Sequence, residues 1–202
     1  MIGVNVMLVE RAIGARAFAP PPDRFTPAQY WRIFMPVPNP ETPADNLALG
    51  RVWMYRNGVK LSFDGAWFYQ SSRYNGRGAD RTFQTSDMPD PTSAVAGWTS
   101  AIANPVNEWI ECDFREARAV DSIVFVPIMY RNGARNPQTL AIQCSDDAQL
   151  WTTLVAASGL DWTDGAQKAF AINGTTRRIA PMARWPGTQL ESVEAFGPDE
   201  PT

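Results

Sequence analysis

Apolar and polar residues alternate with a period of two over much of this chain, in runs of four to eight residues that end at Gly, Pro, Asn or Asp. Ile110, Cys112 and Phe114 fall on one side of such a run, with Trp109, Glu111 and Asp113 on the other. Leu140, Ile142 and Cys144 repeat the pattern before the polar turn that leads to Trp151. Further strands are predicted at Tyr30 to Met35, Leu47 to Tyr55, Ala66 to Tyr69, Ile123 to Met129, Trp151 to Val155, Ala169 to Ile172, Arg178 to Met182 and Leu190 to Phe196. Gly50 marks an expected bulge and Pro127 an expected irregularity within their strands. Asn57-Gly58 is a strong signal for a two-residue hairpin turn, whereas residues 71 to 78 and 82 to 99 read as loops. Many short strands at turn-bounded spacing predict an all-β domain, an antiparallel β-sandwich.

Ahead of this domain, Ile2, Val4, Val6 and Leu8 alternate as a short strand, and Pro20 to Pro22 then forbid helix and favour an extended spacer. Residues 1 to 27 are therefore expected to form an N-terminal arm, and residues 28 to 202 the sandwich. The arm fits two roles, an anchor strand pairing with another protein or an edge strand of its own sheet. No tandem repeat or heptad specifies a fibre, so any homo-oligomer within an assembly is expected to form through folded surfaces or the arm.

Composition narrows the chemistry. A chain of 202 residues buries a substantial core without staples, and a net charge of -3 with dispersed signs provides no basic face for nucleic acid. Lys60 and Lys168 are the only lysines, so positive charge rests on Arg, which suits bidentate interface contacts or reflects coding bias. The absence of histidine removes Ser-His and Cys-His catalysis and the commonest metal ligand. Cys112 and Cys144 read as small buried hydrophobes, with a cross-strand disulfide as the alternative. The termini do not read as targeting segments, no apolar run spans a bilayer, and Asn173-Gly-Thr175 reads as a turn rather than a glycosylation site.

Several segments occur in an informative order: Ser71-Ser-Arg-Tyr-Asn-Gly76, Ala79-Asp-Arg-Thr-Phe83, Gly97-Trp-Thr-Ser100, Asn107-Glu-Trp-Ile-Glu-Cys-Asp-Phe114, the Ile123 strand, Pro137 to Trp151, and Val193 to Gly197. Together they resemble the discoidin, or coagulation factor type C, domain of the galactose-binding-like superfamily over about residues 66 to 197. Tyr30-Trp-Arg-Ile33 and Val52-Trp-Met-Tyr55 look like the opening of such domains in phage tail proteins. The resemblance implies a jelly-roll sandwich in a virion protein of the tail or baseplate, one that attaches to carbohydrate on the host surface. A decoration or tail-assembly protein using the fold for contacts with other virion proteins is the alternative, and a carbohydrate-binding module clipped from a secreted enzyme is a third. The calcium-binding Asp-Gly-Asn turn of similar modules is replaced here by Gln84-Thr-Ser-Asp87. Asp87, Asp90 and Glu194 remain as possible hard-oxygen ligands for a structural calcium.

Carboxylate pairs such as Asp146-Asp147 and Asp161 with Asp164 fit turn chemistry better than glycoside hydrolysis, so no enzymatic activity, cofactor or catalytic residue is expected. Binding needs only rigid aromatic planes and directional donors on loops. The candidates for glycan contact are Trp67, Tyr69, Arg73 and Tyr74, then Arg131, Asn132 and Arg135 in the turn after the Ile123 strand, and Trp162. Trp31, Trp53, Trp98, Trp109 and Trp151 are expected in core or end-cap positions.

Overall fold

The structure is a computed structural model and describes residues 27–37, 45–88, 90–93, 96–101 and 105–172. Among these residues it is all-β apart from one 3-10 turn at Ala79–Arg81. Eleven strands follow in order: β1 (Ala28–Met35), β2 (Ala48–Leu49), β3 (Arg51–Arg56), β4 (Val59–Lys60), β5 (Trp67–Gln70), β6 (Trp98–Thr99), β7 (Glu108–Arg118), β8 (Ser122–Val126), β9 (Leu140–Ser145), β10 (Thr152–Ala157) and β11 (Lys168–Ala171). They form a five-stranded sheet ordered β10-β9-β1-β7-β5, a four-stranded sheet ordered β11-β8-β3-β4, and the β2-β6 pair, all antiparallel. The expected arm and the strands near residues 2, 178 and 190 lie outside the described residues.

One apolar core joins the two larger sheets, giving the body its β-sandwich character. Trp31, Ile33 and Met35 of β1, Ile110, Cys112 and Phe114 of β7 and Ile142 of β9 are buried with Val52 and Met54 of β3 and Ile123 and Phe125 of β8. On β7 and β9 these are the alternate positions that the sequence pattern picks out, because successive side chains leave opposite faces of a strand. Phe63 stacks on Phe114 with ring centroids 5.6 Å apart and helps close one part of this core.

Asn57 and Gly58 both have positive φ, 51° and 74°, as the turn joining β3 to β4 requires. Gly50 does not make a bulge inside one strand. It separates β2 from β3 as the chain passes from one sheet to another, and a Cβ there would lie 2.2 Å from the Val126 carbonyl oxygen. Pro127 ends β8 at Val126 rather than bending a longer strand, since proline has no N–H for the ladder.

Strand β1 lies between β7 and β9, and Trp31 is opposite Cys112 on one side and Cys144 on the other. The two cysteines are thus two strand spacings apart, roughly 9.5 Å, which is too far for a disulfide. Both are free thiols. Burial raises their pKa values, Cys144 to about 11 and Cys112 well above the ordinary thiol value.

Candidate functional site

The turn after β8 is built on strained backbone. Arg131, Asn132 and Gly133 all have positive φ, at 53°, 55° and 78°, a conformation that disfavours the first two residues. Asn136 holds the turn in place. Its Oδ1 accepts the Ile128 N–H at 2.9 Å, while its Nδ2 donates to the carbonyls of Ile128 at 2.7 Å and Gly133 at 2.9 Å. Only glycine fits at position 133, where a Cβ would come 2.7 Å from the Trp162 carbonyl oxygen.

This turn faces the 160–165 loop across an open hollow of about 150 Å³, whose lining includes Arg131, Asn132, Gln138, Asp161, Trp162 and Thr163. Three of the residues selected for glycan contact therefore meet at one place. Asp161 accepts hydrogen bonds from the Thr163 N–H at 2.9 Å and hydroxyl at 2.8 Å, and these hold its carboxyl below the usual range. Trp162 does not offer the free stacking plane expected of it. It is 3% exposed, its Nε1 donates to the Pro137 carbonyl at 2.9 Å, and it belongs to the buried core while walling the hollow.

Arg131 and Arg135 share a partner that sequence reasoning missed. Asp45 accepts from Arg131 at 2.7 Å and from Arg135 at 3.0 Å, and both guanidinium groups lie near the Tyr130 ring. Nothing local in the sequence links Asp45 to a turn 86 residues away. The Arg131 side chain remains half exposed, whereas Arg135 is mostly covered.

The other four glycan candidates are elsewhere. Trp67 and Tyr69 project from β5 on the side away from the core, because Phe68 and Gln70 take the inward positions. Trp67 is 36% exposed and carries the Arg115 guanidinium 4.3 Å from its ring centroid. Arg73 and Tyr74 sit in the following loop, tied to β6 where the Tyr74 N–H donates to the Thr99 carbonyl at 2.8 Å. The hollow, the β5 face and this loop are three distinct clusters of candidates.

Of the three proposed calcium ligands, Asp87 and Asp90 are among the described residues. The carboxylate of Asp87 is exposed and 3.8 Å from Lys60 Nζ, while Asp90 is used by the Thr92 N–H and hydroxyl. Glu194 lies outside the described residues, and among the described residues no group of three or more His, Cys, Asp or Glu side chains is placed to hold a metal.

Alternation puts a second polar set on the outer face of the five-stranded sheet. One cross-strand row reads Tyr69, Glu111, Arg32, Gln143 and Thr153, and the next reads Trp67, Asp113, Tyr30 and Ser145. Trp109, by register with Phe34, and Trp151, 3.9 Å from the Arg32 guanidinium, belong to this outer side, not to the core between the sheets. The placement of Trp109, Glu111 and Asp113 on one side was legible from the sequence, but their neighbours from β1 and β5 were not. No protein-family model matches the chain, nor does any curated protein or solved structure.

Proposed function

We propose that this protein is a non-enzymatic, discoidin-like jelly-roll module of a phage tail or baseplate that holds host-surface glycan at the hollow between the 131–134 turn and the 160–165 loop. The observation that carries this reading is the convergence of Arg131, Asn132 and Trp162, each selected from sequence as a glycan contact, on that hollow. Arginine donors, side-chain amides of Asn132 and Gln138, and the Asp161 carboxylate supply the mixed donors and acceptors that sugar hydroxyls need. The virion setting rests on the family resemblance of the β1 and β3 segments.

Binding of the full chain to host cells and to an array of bacterial surface oligosaccharides tests the proposal. Arg131→Ala and Gln138→Ala are expected to weaken binding by about tenfold each. Retention of full binding in both variants, or no binding to any cell or glycan, overturns it.

A structural role in the virion is favoured by one specific observation, the pairing of Asp45 with both Arg131 and Arg135, which already satisfies much of the charge at the rim. In that case the same surface is expected to be covered by neighbouring virion proteins.

A further inference from the structure

Glu111 is 6% exposed although it points away from the core, and among the described residues its carboxylate accepts no hydrogen bond and pairs with no cation. The buried carboxylate at the start of the same strand shows what is missing. Glu108 accepts the Ser72 hydroxyl at 2.9 Å and 2.8 Å and also that of Ser71. Arg32, the cross-strand neighbour of Glu111, turns instead to Gln143, whose Oε1 it reaches at 2.9 Å, and stacks on Trp151. Asp113 is fully engaged, accepting from Gln29 at 2.9 Å, from the Arg115 N–H at 2.7 Å and from its guanidinium at 3.3 Å. Neither Glu111 oxygen is among the fully buried polar atoms that lack a partner, so the carboxylate keeps an edge open to solvent and is the acidic group on this face left free to accept from a ligand.

Its surroundings choose the ligand. Tyr69 is directly opposite Glu111, while Tyr30 and Trp67 flank Asp113 in the adjoining row. Half-buried rings beside the exposed edge of Trp67 provide apolar planes next to a hydrogen-bond acceptor. The charged groups on this part of the face are Arg32 and Arg115 beside Asp113 and Glu111, whose carboxyl is pushed by burial towards the neutral form, so a cationic side chain finds no net negative field. A neutral polyhydroxyl ligand adds no charge and supplies the missing donors.

We propose that the outer face of the five-stranded sheet, centred on Glu111 between Tyr69, Tyr30 and Trp67, is a second carbohydrate-binding surface that accepts a neutral saccharide, with Glu111 receiving hydroxyl hydrogen bonds and the rings stacking on the sugar. It is separate from the rim hollow in residues and in sheet position. Its success or failure therefore leaves the reading of that hollow untouched.

The test is titration of the isotope-labelled full chain with methyl glycosides of glucose, galactose, rhamnose and N-acetylglucosamine, following backbone amides and the Trp67 indole by NMR. At least one sugar is expected to shift the Trp67 indole and the amides of residues 30, 69 and 111 together. Trp67→Ala and Glu111→Gln are each expected to weaken that binding by about tenfold. Arg131→Ala should leave it unchanged. The proposal is overturned by no shift at these positions with any sugar, by shifts confined to residues 131–138 and 160–165, by undiminished binding in Trp67→Ala and Glu111→Gln, or by a trilysine peptide binding this face in place of the sugars.

Discussion

Glu111 is 6% exposed, and among the described residues no donor reaches its carboxylate. Burial therefore pushes its carboxyl up to about 7 from an ordinary 4.5, against the pull of Arg32 and with some help from Asp113. Because the folded value is the higher one, the native state holds the extra proton between pH 4.5 and about 7. Stability attributable to this residue must fall as pH rises through that window and stay reduced above it. Replacing the charge with an amide removes the penalty. Glu111→Gln is expected to stabilise the fold by about 3 kcal/mol at pH 8 and to change it little at pH 4, as measured by urea unfolding at the two pH values. Gly133 makes the opposite prediction. A Cβ there meets the Trp162 carbonyl oxygen on backbone that already has φ of 78°, so Gly133→Ala should cost about 1 to 3 kcal/mol. A lowered Tm with weakened glycan binding at the hollow is the expected result, since the Arg131 turn and the Trp162 loop are forced apart.

At the scale of elements, β1 decides more than its own burial. It separates β7 from β9, so Cys112 and Cys144 share Trp31 as a neighbour yet remain unable to bond. Two titratable thiols per unfolded chain are expected, with negligible reaction of Cys112 in the native state, where the thiol is both buried and held protonated. Thiol counting with and without denaturant checks this, and a protected pair after unfolding without reductant would contradict the register. The β3–β4 hairpin follows from local chemistry alone, because Asn57-Gly58 supplies the two left-handed residues that such a turn demands. The break at Gly50 is different. Its glycine was visible, but the carbonyl that excludes a side chain belongs to Val126 of β8, 76 residues later.

At the scale of the whole molecule, the two larger sheets share one apolar core, with Trp31, Ile110, Met54 and Ile123 packed together from β1, β7, β3 and β8. Strands that neighbour one another are mostly far apart in sequence, as with β1 beside β7 and β9. Unfolding of this body should be a single cooperative transition, with refolding on roughly the millisecond-to-second scale typical of β topologies rich in non-local pairs. Coincident fluorescence and circular dichroism transitions, together with stopped-flow refolding, provide the check. The sequence by itself determined the all-β class, most strand positions, the inward side of β7 and β9 and the Asn57-Gly58 turn. Each of these depends on alternation or turn chemistry within a few residues. Tertiary structure alone decided that Asp45 binds Arg131 and Arg135, that Trp162 is a buried wall, that the two thiols are held apart, and that Tyr69, Glu111 and Arg32 form one row. Those facts depend on strand order and register, which are set by how the sheets bury their shared apolar face, and a local pattern fixes which side of a strand is apolar without fixing which strand lies beside it.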